Sequence, residues 1–386
     1  MTIDSATLQL LLDTLARFVK ERLRPLESQV GKDDRIPDHI INEMKELGLF
    51  GLTIPEAYGG LGLNMSEEVA VARVFGHTSP AFRSTFGTNV GIGSQSLVID
   101  GTEEQKQHYL PKMATGEIIG SFCLTEPESG SDAASVKTTA IKQAGHYILN
   151  GTKRFITNAP TADLFTVFAR TNAEEKGSRG VSAFLVDRNL PGIQLSSPYR
   201  KMGQQGAPVC DVIFDNVSVP EDKLVGGKEN VGFATAMKVL DKGRLHISGI
   251  CVGLAERLLY ESLKFSTSRK QFGEDIASFQ LIQAMIADSK TEILAAKNLI
   301  INTAIMRDNG INITLDSSCA KLFASEILGK IADRAVQIHG GAGYMAEYPV
   351  ERLYRDARLF RIYEGTSQIQ QLIIARETIK RFKNSN

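Results

Sequence analysis

The sequence predicts a mostly helical protein in which a β domain is inserted between two helical regions. Apolar residues recur at helical spacing up to about residue 120, short β-rich runs broken by Gly, Pro and Asn follow, and longer helical patterns end the chain. A chain of 386 residues is long enough for two or three separate cores. We therefore predict three domains, at 1–120, 121–230 and 231–386.

The first region has the pattern of amphipathic helices. Its second helix is predicted to open at Pro37 and to close at Gly48, residues that favour helix starts and ends respectively. The first helix carries an apolar stripe that consists of Leu8, Leu11, Leu12, Leu15 and Val19.

The middle region has the pattern of a β domain. The dipeptide Asn150-Gly151 is a strong hairpin-turn signal between runs at 146–149 and 154–157. Further β-rich runs lie at 164–169, 181–186 and 209–219. We predict strands at these positions, with a turn at the dipeptide.

The last region predicts long helices. Helical spacing persists over several turns at Ile282, Met285, Ile286, Ile293, Ala296, Ile300 and Ala304. Such length indicates a helix bundle whose helices could be shared between subunits. The sequence has no GxGxxG after a strand and no GxxxxGKS/T, so a doubly wound nucleotide-binding fold is not expected and any dinucleotide must bind in another way.

Composition excludes several classes of function. The 44 basic residues balance 44 acidic ones, which argues against nucleic-acid binding and against attraction to an anionic membrane. No apolar run reaches membrane-spanning length. The four cysteines form no CxxC pair and the histidines form no HExxH motif, so we predict reduced thiols and no metal site.

The amino-terminal stretch resembles neither a secretory signal peptide nor an Arg-rich transit peptide. We therefore expect a cytoplasmic protein. A mitochondrial-matrix protein whose transit peptide had been removed would also lack both kinds of leader, so a location in the matrix stays open.

A single carboxylate stands within residues 359–371, which read LFRIYEGTSQIQQ. Glu364 precedes Gly365, and Ser367 and Gln370 have the spacing of a capping box. On one interpretation, Glu364 is a solvated loop residue near a helix N-terminus. On the other, the glycine lets a ligand approach the backbone while Glu364 acts as a base in a dry pocket.

Four further segments carry groups that could bind a ligand. The hydroxyl-rich loop LTEPESGSD at 124–132 could offer donors to a polar ring edge or a phosphate, or could be an ordinary connection. LDKGR at 240–244 has the spacing of a surface ion pair. SRKQFG at 268–273 could neutralise a pyrophosphate or complement a helix dipole. QIHGGAGY at 337–344 has three glycines in four positions, which implies a close approach of the backbone.

These segments, with GTKRFITNAP at 151–160, FQLIQ at 279–283 and RDARLFRIYEGTSQIQ at 355–370, resemble the acyl-CoA dehydrogenase family. The resemblance runs from about residue 8 to 382 and keeps the family's order of motifs. It implies a helical domain, a β-barrel-like domain and a C-terminal four-helix bundle. It also implies bound FAD and a homotetramer built as a dimer of dimers.

By this resemblance Glu364 removes the α-proton of an acyl-CoA thioester, while the β-hydrogen leaves as hydride to the flavin and trans-2-enoyl-CoA forms. The Glu364 backbone N–H and a flavin ribityl hydroxyl would polarise the thioester carbonyl, and a closed pocket would raise the pKa of Glu364. Some relatives carry the base at the position of Gly243, so a glycine there and a glutamate at 364 are complementary. The expected electron acceptor is an electron-transferring flavoprotein.

The resemblance also implies binding residues. Those implied for FAD are Phe122, Cys123, Leu124, Thr125, Ser131, Phe155, Ile156, Thr157, Arg269, Gln271, Phe272, Gln280, Gln337, Gly340, Gly341, Thr366 and Gln368. Within this set, the residues that resemble those lent by a neighbouring subunit to the FAD diphosphate and adenosine are Arg269, Gln271, Phe272, Gln280, Gln337 and Gly341. The residues implied for the CoA thioester are Ser131, Asp241, Arg244 and Gly365. Many relatives have Trp in place of Phe155, but Phe can still stack on the ring.

Arg83 lies where glutaryl-CoA dehydrogenases carry an arginine that binds the distal carboxylate of the acyl chain. The acyl tail could therefore be polar or acidic, or Arg83 could be a helix-packing residue. Chain length and branching do not follow from the sequence.

Two other functions stay open at this stage. An acyl-CoA oxidase, a desulfinase or a nitroalkane-oxidase-like flavoenzyme would use the same scaffold, although such relatives often lose the glutamate. A non-enzymatic helical assembly or binding module would use the glycine and hydroxyl clusters only as turns.

Overall fold

The predicted fold class is confirmed, with helices at both ends of the chain and a curled β-sheet between them. A computed structural model describes residues 3–175 and 177–385. The helices that precede the sheet are α1 (Ser5–Phe18), α2 (Glu27–Asp33), α3 (Asp38–Glu46), α4 (Met65–Phe75), α5 (Pro80–Thr88), α6 (Gln95–Asp100) and α7 (Glu103–Thr115). Capping boxes at Asn64 and Thr102 start α4 and α7, because each side chain accepts a hydrogen bond from an otherwise unpaired backbone N–H.

The middle region forms one sheet whose strand order is β1-β4-β2-β3-β7-β6, with β5 paired to β4. The strands are β1 (Gly120–Cys123), β2 (Thr139–Gln143), β3 (His146–Thr157), β4 (Leu164–Arg170), β5 (Val181–Asp187), β6 (Ile193–Leu195) and β7 (Val209–Pro220). Strands β4 and β5 are buried along nearly their whole length, which explains why their sequences are continuous apolar runs rather than alternating ones.

The predicted hairpin turn at Asn150-Gly151 is wrong, because β3 continues through both residues. The chain instead reverses before β3 at Ala144 and Gly145, which both have positive φ. Gly151 is needed for another reason: a Cβ there would lie 2.5 Å from Thr138 Oγ1, and the β3–β7 register shifts beside it. The glycine therefore marks a bulge with a close neighbour rather than a turn.

After the sheet the chain forms a helix bundle with a small hairpin. Its elements are α8 (Gly232–Ser266), β8 (Lys270–Gln271), β9 (Glu274–Asp275), α9 (Gln280–Asp308), α10 (Thr314–His339), α11 (Pro349–Ala357) and α12 (Ser367–Ser385). The predicted stripe of α9 enters the bundle core through Ile293, Ala296, Ile300 and Ala304. Small residues such as Ala320 and Ala324 of α10 share this core and allow the helices to pack closely.

The three regions meet around the buried carboxylate of Asp356 in α11. Its Oδ2 accepts a hydrogen bond of 3.0 Å from Ser79 Oγ at the start of α5, and its Oδ1 accepts one from the backbone N–H of Gln204 in the β region. A buried carboxylate must be hydrogen-bonded to remain charged, so these contacts tie the regions together.

Within the described ranges, no helix combines the length and apolarity that crossing a bilayer requires. The same residues contain no group of three or more His, Cys, Asp or Glu side chains arranged to hold a metal ion. The four cysteines are free, and all except Cys319 are buried.

Helices α4 and α8 approach each other through glycines. A Cβ at Gly253 of α8 would lie 2.0 Å from the Arg73 carbonyl oxygen and 2.9 Å from Gly76 Cα. We predict that Gly253→Ala lowers the free energy of unfolding by about 1–3 kcal/mol, because the helices must separate. Urea denaturation followed by circular dichroism measures this change.

Gly329→Ala in α10 is the matched control. Its Cβ would meet nothing closer than Arg361 Cδ at 3.6 Å, so the better helix propensity of alanine should leave stability unchanged or raise it by up to about 1 kcal/mol. Equal stability of the two variants would contradict the close-approach account.

Candidate active site

Glu364 lies in a tight turn just before α12. Its φ of +53° and the φ of +90° at Gly365 place both residues in the left-handed region. The Glu364 carbonyl accepts a hydrogen bond of 3.1 Å from Gln370 Nε2, and the Gly365 carbonyl accepts bonds from Gln370 Nε2 at 3.1 Å and from Lys321 Nζ at 2.7 Å. A non-glycine residue with positive φ is uncommon, and here side chains on two helices hold it.

The predicted capping box of Ser367 and Gln370 is wrong. Thr366 is the cap, since its Oγ1 accepts a bond of 3.2 Å from the Ile369 backbone N–H. The Ser367 hydroxyl instead donates to Glu326, and the Gln370 amide holds the turn carbonyls. The polar residues after Glu364 thus fix the turn rather than forming the expected box.

The turn faces a cavity of about 380 Å³ where the sheet, α5, α8 and α12 meet. Ten of the predicted site residues line it: Phe122, Leu124, Thr125, Ser131, Phe155, Ile156, Thr157, Arg244, Glu364 and Gly365. The fold therefore brings residues from distant parts of the sequence into one pocket of ligand-binding size.

The Glu364 carboxyl group is poorly solvated. Its Oε2 is buried and has no hydrogen-bond partner among the described residues. Burial raises the pKa of Glu364, while the positive charges of Arg83, Lys321 and Arg244 act in the opposite direction. A carboxyl group with a raised pKa and no hydrogen-bond partner can act as a general base or acid.

Gly243 of α8 lies against this carboxylate. A Cβ at Gly243 would be 2.3 Å from Glu364 Oε2. The carboxylate thus occupies the volume that a side chain at 243 would need, which gives a steric reason for the complementary residues at the two positions.

The same cavity contains groups that fit the flavin ring of FAD. The side-chain hydroxyls of Thr125, Ser131 and Thr157 line it and make no hydrogen bond with any described group. Phe155 has a φ of +58° and leaves 58% of its surface exposed beside them. Unused polar donors next to an exposed aromatic ring suit a flat ligand with a polar edge.

The hydroxyl-rich loop is held from behind by a buried ion pair. Lys153 Nζ lies 2.7 Å from Glu126 Oε1 and donates to the Leu124 carbonyl at 3.2 Å. Glu126 also accepts a bond of 3.0 Å from the Thr138 backbone N–H. Because breaking a buried pair is costly, this bracing keeps the loop donors in place.

Several predicted residues do not line the cavity. Cys123 is fully buried in β1, and Asp241 pairs with Arg244 while its Oδ2 accepts a 3.0 Å bond from Thr314 Oγ1. Thr366 serves as the helix cap, and Gln368 is exposed on the first turn of α12.

The remaining predicted cofactor residues are exposed at one end of the bundle. They are Arg269, Gln271, Phe272, Gln280, Gln337, Gly340 and Gly341. The rings of Phe265 in α8 and His339 in α10 stack at 4.3 Å and hold these segments side by side. Phe272 among them is 94% exposed.

Sequence reasoning missed several residues of the pocket. Phe233, Met237 and Leu240 of α8 line it with Ile369 and Ile373 of α12. An apolar stripe on a helix predicts burial but does not reveal whether the face meets a core or a cavity. Lys321 gave no signal at all, because a lone lysine in a helical pattern predicts exposure.

The helix–sheet–helix fold, with a carboxyl group and unpaired hydroxyls lining one cavity, fits a flavin-dependent oxidoreductase. Profiles of the N-terminal, middle and C-terminal domains of acyl-CoA dehydrogenase match residues 5–117, 121–217 and 230–379. The chain belongs to the acyl-CoA dehydrogenase family, whose members are FAD-dependent oxidoreductases.

Named relatives extend over nearly the whole chain. An acyl-CoA dehydrogenase of Bacillus subtilis (strain 168) is 42% identical over 93% of this chain and 94% of its own length. The CarC subunit of the caffeyl-CoA reductase–Etf complex of Acetobacterium woodii is also 42% identical, over 94% and 95%. The structure of butyryl-CoA dehydrogenase from Megasphaera elsdenii superposes with a TM-score of 0.93 at 32% identity, covering 98% of this chain and 99% of that one.

We predict that Thr157→Val weakens FAD binding by about threefold to tenfold, because one neutral hydrogen bond contributes about 0.5–1.5 kcal/mol. Titration of the apoprotein with FAD, followed by flavin fluorescence, measures the change. Thr152→Val, in the same strand but outside the cavity, is the matched control and should leave the affinity unchanged. Equal affinities of the two variants would exclude Thr157 as a flavin contact.

Proposed function

We propose that this enzyme catalyses the α,β-dehydrogenation of an acyl-CoA thioester to trans-2-enoyl-CoA, with Glu364 as the base. The observation that carries the proposal is the Glu364 carboxyl group, which lines the cavity that also contains the predicted flavin contacts and whose buried Oε2 has no hydrogen-bond partner among the described residues. Since no described group hydrogen-bonds to this carboxyl group, it is available to a substrate proton.

The backbone of the same residue supports the removal of the proton. An α-proton of a thioester is too weakly acidic for a carboxylate unless the developing negative charge on the carbonyl oxygen is stabilised. The Glu364 backbone N–H makes no hydrogen bond with any described group, so it is free to donate to that oxygen. One residue thereby contributes both the base and an oxyanion donor.

The substrate loses a proton and a hydride, and a carbon–carbon double bond forms between Cα and Cβ. The proton moves to the Glu364 carboxylate. When bound, FAD supplies the two-electron acceptor for the β-hydride. The apolar side chains of Phe233, Met237 and Leu240 line the cavity and exclude water from the reacting atoms.

The same residues serve the reverse reaction. A protonated Glu364 can return its proton to Cα of an enoyl-CoA, by microscopic reversibility. Reduction is our second candidate for the physiological direction, because the Acetobacterium woodii relative is named as part of a caffeyl-CoA reductase complex. The raised pKa of Glu364 suits either direction.

We infer that an electron-transferring flavoprotein exchanges electrons with this enzyme, since that relative's complex contains Etf. We also propose a homotetramer. Apolar side chains remain exposed on the bundle helices at Leu281, Leu294, Ile301, Ile305, Leu372 and Ile379. Such a surface favours contact with further copies of the chain, and the exposed predicted cofactor residues at the bundle end would then reach a neighbour's FAD.

Buried charged groups next to the cavity around Arg83 bear on the substrate. Arg83 Nε donates to His246 Nε2 at 2.7 Å, and His246 Nδ1 lies 2.8 Å from Glu68 Oε1. Burial lowers the pKa of His246 to about 4, so the ring is neutral at pH 7. Lys242 Nζ lies 3.2 Å from Glu68 Oε2.

The cluster leaves Arg83 without a paired carboxylate. Although burial opposes ionisation, Lys242 and His246 hold the pKa of Glu68 at about 2, and that carboxylate contacts Lys242 and His246 rather than Arg83. No carboxylate of residues 3–175 and 177–385 forms an ion pair with Arg83. We propose that its guanidinium can bind a polar or anionic group at the end of a short acyl chain.

We predict that Glu364→Gln retains FAD and acyl-CoA but slows anaerobic flavin bleaching by roughly 10³-fold or more, because it cannot accept the proton. Stopped-flow absorbance with a panel of acyl-CoA substrates measures the rate. Glu347→Gln, at an exposed glutamate outside the cavity, is the control and should bleach at the wild-type rate. Bleaching by Glu364→Gln at a comparable rate would overturn the assignment of the base.

We predict that Arg83→Ala lowers the ratio of kcat/KM for glutaryl-CoA to that for butyryl-CoA by about 10-fold to 100-fold, the effect of one charge-assisted hydrogen bond. Butyryl-CoA is the internal control, because it lacks the distal carboxylate. An unchanged ratio would mean that Arg83 serves only packing and the electrostatics of Glu364.

A further inference from the structure

Lys321 is a fully buried lysine of α10 that the sequence motifs did not single out. Its Nζ donates to the Gly365 carbonyl at 2.7 Å. A buried ammonium group is usually paired with a carboxylate, because removing it from water is costly. Among residues 3–175 and 177–385, no carboxylate lies within ion-pair distance of Lys321.

The bonded carbonyl belongs to the residue that follows the proposed base. Lys321 therefore holds the turn from the side of α10, while Gln370 holds it from α12. The turn needs such anchors, because Glu364 has an unfavourable positive φ. Without the ammonium group, the Gly365 carbonyl would lose the shorter of its two side-chain hydrogen bonds.

The charge of Lys321 also acts on the Glu364 carboxylate. Burial lowers the pKa of Lys321, whereas Cys251, Glu364 and Glu326 favour its charged form and Arg244 opposes it. The remaining charges around Glu364 come from Arg83 of α5, Arg244 of α8 and Glu68 of α4. Arg244 is already paired with Asp241, whereas Lys321 has no carboxylate within ion-pair distance among the described residues, so its positive charge remains available to Glu364.

We propose that Lys321 is a positioning residue for Glu364: its ammonium group anchors the turn that carries the base and favours the ionised form of that carboxylate. This inference rests on the proposed role of Glu364. Packing alone does not explain a lysine at this position, because an apolar residue of similar length would fill the same volume without the cost of burying a charge.

The pH dependence of flavin bleaching tests the charge. The base must be ionised to accept a proton, so the rate rises with pH through the pKa of Glu364. Loss of a nearby positive charge raises that pKa, and the acidic limb moves to higher pH. We predict a shift of about one pH unit for both Lys321→Met and Lys321→Gln, which is about a tenfold slower rate on the acidic limb.

Two control variants separate charge from packing. Lys321→Arg keeps the charge and should keep the limb near its wild-type position. Lys330→Met makes the same substitution at an exposed lysine of the same helix and should change nothing. A purely structural role predicts a lower rate at every pH with an unmoved limb, and that result would overturn the proposal.

A readout independent of turnover completes the test. Infrared titration of protein labelled with ¹³C-glutamate follows the carboxyl stretch of Glu364, which is assigned by its absence in Glu364→Gln. We expect the Glu364 titration in Lys321→Gln to move upward by about one pH unit. This measurement tests the effect of the Lys321 charge on the pKa of Glu364 even if Lys321→Met does not fold. It also separates the two proposals, because an inactive Glu364→Gln with an unmoved titration refutes only the role of Lys321.

Discussion

One carboxyl group with a buried, unpartnered oxygen constrains the architecture around it. The Glu364 side chain ends in a buried oxygen without a partner, and its backbone is held in the left-handed region. Both conditions cost free energy, so the surrounding structure must compensate. Gly243 leaves the space that the carboxylate fills, and Lys321 and Gln370 hold the carbonyls of the turn. The site therefore depends on α8, α10 and α12 at once.

The pKa of Glu364 is set by several opposing electrostatic effects. Burial favours the neutral acid, and Glu68 adds to this, whereas Arg83, Lys321 and Arg244 favour the carboxylate. A base that removes a weakly acidic proton must be ionised before the reaction and must still hold the proton afterwards. Opposing contributions of this kind bring a carboxylate pKa toward the working pH without removing either function.

Much of the fold and part of the site could be predicted from sequence, because hydrophobic periodicity and motif order are local properties. The position of Glu364 before a helix followed from Gly365 and the polar residues after it. The prediction of a turn at Asn150-Gly151 was wrong because the same dipeptide is also compatible with a β-bulge. Only the close approach of Thr138 to Gly151 distinguishes the bulge from the turn. The prediction of a helix cap at Ser367 was wrong because the Ser367 hydroxyl donates a hydrogen bond to Glu326, which is distant in sequence. Lys321 and the cluster of Arg83, His246 and Glu68 are long-range contacts that no local pattern encodes.

The central claim is that Glu364 faces a space in which a thioester fits between its carboxylate and the flavin. A crystal structure of the holoenzyme with a non-oxidisable 3-thiaacyl-CoA, which keeps the thioester and Cα but has sulfur in place of Cβ, tests this claim most directly. The account predicts a carboxylate oxygen of Glu364 within about 3.5 Å of the analogue's Cα, with the thioester carbonyl oxygen in hydrogen-bond reach of the Glu364 backbone N–H. An analogue bound elsewhere, or a Glu364 carboxylate turned into bulk water in that complex, would contradict it.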